Sequence, residues 1–186
     1  MELFYTSSRE EWRAYLAARF ETAEEIWFVF PTIASGEPAL SYNDAVEEAL
    51  CFGWIDGRAG TLDERHHIRR FTPRRPGSGY SRPNIERLLW LDERGRIHPK
   101  VREQVLPILM APFVFPEDIL AAIRADETAW ENYTHFSEPY RRIRVAYIDA
   151  ARKHPAEFQK RLVHFLEKTR RNQLIMGYGG IEKYYR

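Results

Sequence analysis

The residues best suited to chemistry lie between positions 51 and 84 of a 186-residue chain. Asp56 stands between Ile55 and Gly57 in an apolar run, where a carboxylate must be paired with a cation or solvated in a cleft. A hairpin formed with the run His66-His67-Ile68-Arg69-Arg70-Phe71 brings Arg69 or Arg70 within reach of it, on one face or the other depending on register. As a partly buried ion pair, this carboxylate and arginine would fix the hairpin. Open to solvent, Asp56, His67 and Arg70 would instead wall a cleft for a polar ligand or a small enzyme site.

The run Thr72-Pro73-Arg74-Arg75-Pro76-Gly77-Ser78-Gly79-Tyr80-Ser81 offers different chemistry. Glycine permits the turns that let backbone N–H groups converge, and two guanidinium groups supply positive charge. Ser81 precedes a helix N-terminus, with Asn84 in its first turn, so the stretch reads as an anion cradle. The Gly-Lys-[Ser/Thr] ending of a P-loop is absent. With Tyr80 as a stacking ring the same loop can track a nucleic-acid backbone, and its plain reading is a solvated basic connector whose Ser81 caps the next helix. The candidate ligand-binding residues are therefore Asp56, Arg70, Arg74, Arg75, Tyr80, Ser81 and Asn84. Convergence of Asp56, Arg70, Arg74 and Asn84 on one cavity would mark them as a single site.

Other reactive residue types point to structure. Cys51 sits between Leu50 and Phe52 at the apolar end of a helix, where the partial negative charge disfavours thiolate, so a buried and unreactive thiol is expected. His66 and His67 are adjacent on a strand and point to opposite faces, and no helical His-x-x-x-His pair exists. Neither a metal nor another cofactor is expected.

The elements that must position these residues follow from spacing. Ser8 with Glu11 is a capping-box spacing opening a helix over 8–20, and Ser41 opens a second that Gly53 ends. The β-branched and aromatic run 25–30 is a strand, and 53–58 with 66–71 form a hairpin around Leu62-Asp63-Glu64. Helices are predicted over 83–93, 99–110, 116–125, 127–136, 139–153 and 155–170, mostly introduced by proline at the first helical position. The expected fold is α+β, a small and mostly antiparallel sheet of 26–30, 54–58 and 66–72 covered by helices, followed by an all-helical domain. The domain boundary is expected between 1–111 and 112–186. Gly177-Tyr178-Gly179-Gly180-Ile181 with Tyr184-Tyr185 reads as an aromatic tail.

Charge and composition narrow the function classes. The formal net charge is +1, yet residues 64–87 carry +5, residues 141–171 carry +7 and the remainder −11. Such segregation suits an anionic partner, a nucleic acid included, or an intramolecular charge match. A single cysteine excludes an internal disulfide framework. The longest apolar stretch, Val105 to Phe115, is eleven residues and contains two prolines, too short to span a bilayer. The N-terminus lacks a basic and then apolar leader, so a cytoplasmic protein is expected.

Three stretches resemble a known family. The run from Leu40 through Cys51-Phe52-Gly53-Trp54-Ile55-Asp56-Gly57, the run Arg70-Phe71-Thr72-Pro73-Arg74-Arg75-Pro76 with Ser81, Asn84 and His98-Pro99, and the helical segments Pro116–Ala122 and Tyr140–Ile148 are similar to the YdeI/OmpD-associated, bacteriocin-protection family. The resemblance spans nearly the whole chain. His67 stands where the family commonly has tyrosine and Tyr80 where it commonly has tryptophan, so a stacking role survives at both. The resemblance implies a bacterial accessory protein and brings no established reaction with it. Three function classes remain: a binding protein for a small anion or anionic macromolecule, a small enzyme at Asp56, His67 and Arg70, and a nucleic-acid-binding module.

Overall fold

The computed structural model describes residues 1–75, 77–176 and 182–185. Two compact units emerge, one from residues 1–80 with 88–109 and one from 81–87 with 110–186. The expectations for Pro76 and for the glycine-rich part of the tail, 177–181, fall outside the described residues. No helix among those described is long and apolar enough to cross a membrane.

The first unit carries a four-stranded mixed sheet. Its strands are β1 (Leu3–Phe4), β2 (Ile26–Pro31), β3 (Trp54–Asp63) and β4 (His66–Pro73), in the order β1-β2-β4-β3. β1 runs parallel to β2, and the other pairings are antiparallel. Helices α1 (Arg9–Arg19), α2 (Tyr42–Cys51), the later part of α3 (Arg82–Glu93) and α4 (Pro99–Met110) complete the unit. The first two start where their caps dictate: Ser8 Oγ accepts from Glu11 N at 3.2 Å and Ser41 Oγ from Asp44 N at 3.1 Å. β1 escapes a reading by periodicity because two residues are too few to show alternation.

The strand period of two decides which side chains enter the core. Ile26, Phe28 and Phe71 face the helices together with Trp54, and all are fully buried. Trp12 anchors this layer, its ring 5.0 Å from Phe28 and 5.6 Å from Phe71. Its indole N–H donates to Ala45 O at 3.0 Å, and that of Trp54 donates to Phe20 O at 3.1 Å. Trp27 alternates to the opposite face, opposite Arg70 in the register, and is no part of this core.

The second unit packs α5 (Glu117–Arg124), α6 (Glu127–His135), α7 (Glu138–Asp149) and α8 (Pro155–Arg170) with the start of α3. Asp126 and Ser137 cap α6 and α7 through Ala129 N and Tyr140 N. Tyr133, Tyr140 and Phe165 fill the interior. Tyr184 and Tyr185 are buried in a final 3₁₀ turn, and the Tyr185 ring meets that of Tyr140 edge-on at 4.8 Å.

Candidate functional site

Register settles what Asp56 meets. Asp56 is opposite Phe71 and therefore shares the helix-covered face with Arg69, two residues away on β4. Tyr42, at the start of α2, donates its hydroxyl to Asp56 Oδ2 at 2.6 Å, while Arg69 Nη1 lies 3.7 Å from the same oxygen. Arg69 also stacks over the Tyr42 ring at 5.1 Å and donates to Gly57 O at 3.0 Å. Arg70 points the other way and pairs with Glu25, at 2.6 Å from Nε. The three-residue cleft of Asp56, His67 and Arg70 does not assemble, because adjacent strand residues face opposite sides. His67 is exposed and lines a shallow hollow with Tyr42 and Arg69. His66 binds Asp63 Oδ1 at 2.8 Å and Glu37 Oε1 at 3.1 Å, contacts that raise its pKa, with the hydrogen bond to Asp63 the larger cause.

The loop after β4 forms a second candidate site in this unit. Gly53 ends α2 with a left-handed φ of +71°, a conformation in which only glycine is unstrained. Its carbonyl accepts from Arg74 N at 2.9 Å, which fixes where the loop leaves the sheet. The Arg74 guanidinium then folds back, donating through Nη2 to Gly79 O at 2.6 Å and to Ser78 O at 3.3 Å. It lies 3.7 Å from the centroid of the Tyr80 ring, close enough for a strong cation–π contact. Burial pushes the Tyr80 phenol up against the lowering effect of Arg74. Between this loop and α4 is a cavity of about 610 Å³, lined by Arg74, Arg75 and Tyr80 with Gln104, Val105 and Ile108. Among the described residues, no acidic residue lines it.

Of the seven residues singled out in the sequence, Arg74, Arg75 and Tyr80 share this cavity. Asp56 and Arg70 lie on opposite faces of the sheet, and neither lines it. Ser81 and Asn84 belong to the second unit. There the Ser81 carbonyl accepts from Ile85 N at 3.0 Å, and Asn84 Oδ1 accepts from Arg87 at 2.9 Å. Cys51 is fully buried. Burial, with the charge of Glu48 second, pushes its thiol up to about 12. Among the described residues no cluster of His, Cys, Asp or Glu could hold a metal ion.

A buried charge cluster has no counterpart in the sequence reading. Glu47 and Glu48 on α2 are fully buried. Arg9 reaches Glu48 at 2.5 Å, Asp44 at 2.7 Å and Glu47 at 2.9 Å. Arg13 and Arg96 each add a contact to Glu48 at 2.7 Å. Burial alone would raise the Glu48 pKa, but hydrogen bonds from Arg13 and Arg9 outweigh it and hold the carboxyl below its usual range. Every carboxylate here already meets arginine, so the cluster joins α1, α2 and the segment before α4.

Two family models match the chain. The one described as Domain of unknown function (DUF8412) covers residues 4–104. The one described as Bacteriocin-protection, YdeI or OmpD-Associated covers residues 112–172. The second contains the Pro116–Ala122 and Tyr140–Ile148 segments, whereas the run through Cys51–Gly57 falls within the first. No curated protein and no solved structure matches the chain.

Proposed function

Because the chain belongs to the DUF8412 family through residues 4–104 and carries a bacteriocin-protection, YdeI or OmpD-associated segment at 112–172, descriptions that name no reaction, we propose that it is an accessory binding protein. Its first unit takes a small anion in the cavity between the Arg74–Tyr80 loop and α4. The supporting observation is the charge of that cavity. Two guanidinium groups line it with no acidic residue among the described lining, whereas Arg69 and Arg70 just upstream are matched by Asp56 and Glu25.

The two arginines divide the work. Arg74 holds the loop in shape through the Ser78 and Gly79 carbonyls and the Tyr80 face. Arg75 is exposed and meets the ligand. A loop already folded loses little ordering entropy on binding, and Tyr80 with Gln104 gives an anion both a stacking surface and an amide donor.

Calorimetric titration with inorganic phosphate, a mononucleotide and a short oligonucleotide tests the proposal. Phosphate or the mononucleotide should bind the native chain, at least tenfold more weakly after Arg75→Ala, with a modest dependence on salt. Binding of the oligonucleotide alone, with a log–log salt slope of about −0.7 to −0.9 per phosphate neutralised, would assign the loop to nucleic acid instead. Equal and negligible heats for both proteins with all three ligands would leave the loop a solvated connector.

A further inference from the structure

A second pocket lies wholly within the helical unit, independent of the loop cavity. It has a volume of about 310 Å³ between α7, α8 and the segment after α8. Positions 157, 160, 161, 164 and 165 of α8 all line it, a spacing that places them on one helical face. Ile148, Phe165, Ile175 and Met176 form its apolar walls. Among the described residues, its charged lining is one carboxylate, Glu157, against Arg144, Lys160 and Arg161. Glu157 is already engaged by Arg161, whose Nε donates to it at 2.8 Å while its guanidinium lies 3.9 Å from the Tyr147 ring. Lys160 and His164, one turn apart and both exposed, stand where the pocket meets solvent. Neither forms an ion pair among the described residues.

We propose that this pocket binds a small monocarboxylate with an apolar body. The four apolar side chains would gain nothing from a wholly polar anion, while the cationic lining would gain nothing from a neutral hydrocarbon. Glu157 in the lining repels a second negative charge, which favours a carboxylate over a phosphate dianion. At about 30 Å³ per water the volume corresponds to roughly ten non-hydrogen atoms, the size of octanoate. In this arrangement the chain of octanoate lies against Ile148 and Phe165, and its carboxylate meets Lys160 and His164.

Titration of the full chain with octanoate, 1-octanol, acetate and inorganic phosphate separates body from charge. Octanoate should bind at least tenfold more tightly than each of the other three. The double variant Lys160→Ala/His164→Ala and the single variant Met176→Glu alter exposed positions, so both should fold and both should weaken octanoate at least tenfold. Lys153→Ala, an exposed cation outside the pocket, should leave octanoate binding unchanged. Equal affinity for 1-octanol, acetate or phosphate would overturn the proposal, as would octanoate binding that survives both pocket variants or that Lys153→Ala weakens as much.

Discussion

Protonating Glu48 should cost the first unit stability. Three guanidinium groups converge on a carboxylate that is fully buried, so removing its charge leaves arginines facing each other. The arginine side chains are 22–36 % exposed, and water relieves part of that repulsion. Glu48→Gln should therefore cost about 3 kcal/mol at neutral pH, the low end for breaking a buried pair. The folded pKa is depressed, so the stability it contributes is present above the ordinary glutamate value and lost as pH falls through the folded value. Urea melts between pH 3 and 7 should show the native chain weakening steeply below about pH 4 and the variant weakening less. Parallel profiles would assign the acid sensitivity to other carboxylates. At this scale the sequence is legible where a residue answers to its neighbours, as with the Ser8 and Ser41 caps or the apolar flanks of Cys51. Glu47 and Glu48 were illegible because Arg9, Arg13 and Arg96 reach them from distant positions that no spacing rule connects.

Elements were legible wherever periodicity or capping spoke, and the α+β fold follows from them. The hairpin register was not, because alternation alone allows either face for Asp56. The structure chooses the face through burial: Trp54 and Phe71 must point toward the helices, and Asp56 and Arg69 then go with them. Ala59 rather than Gly57 resumes the pairing after Asp56, a bulge that no residue pattern announced. The same alternation sends Trp27 outward, where its indole N–H donates to Glu25 at 3.1 Å and its ring covers Gly60. The two tryptophans should therefore behave differently. Trp54→Ala should cost about 3–5 kcal/mol, as expected for emptying a large buried site. Trp27→Ala, which strips a half-buried ring from an outer face, should cost about 1–2 kcal/mol. Chemical denaturation of the two variants decides the matter, and equal losses would contradict the assignment of faces. The candidate cavity was half legible for the same reason. Arg74, Arg75 and Tyr80 are close in sequence, but the wall supplied by Gln104, Val105 and Ile108 depends on how α4 packs.

For the whole molecule, folding offsets part of the charge segregation along the chain. Arg70 finds Glu25, Arg142 finds Glu86 and Glu138, and Arg152 finds Asp118 and Asp149. Glu25, Glu138 and Asp118 lie outside residues 64–87 and 141–171, so part of the basic excess of those segments is matched from the acidic remainder of the chain. One of these matches also shows how the chain is divided. Residues 81–87 belong to the helical unit although Met110, where the rest of that unit begins, lies well downstream. Glu86 is one residue that ties them in. It is 2 % exposed and accepts from Arg142 at 2.6 and 2.8 Å and from Arg82 at 2.7 Å. Both arginine side chains are themselves mostly buried, at 12 % and 15 % exposure, so Glu86→Ala would leave two shielded cations side by side. That variant should lose about 3–5 kcal/mol. The added change Arg142→Ala should recover part of the loss, because it removes one of the two cations that Glu86 no longer separates, and the two substitutions should couple by about 0.5–3 kcal/mol. A double-mutant cycle followed by thermal melting measures that coupling. Strictly additive losses would mean that Glu86 supports the helix it sits on rather than holding that helix to α7.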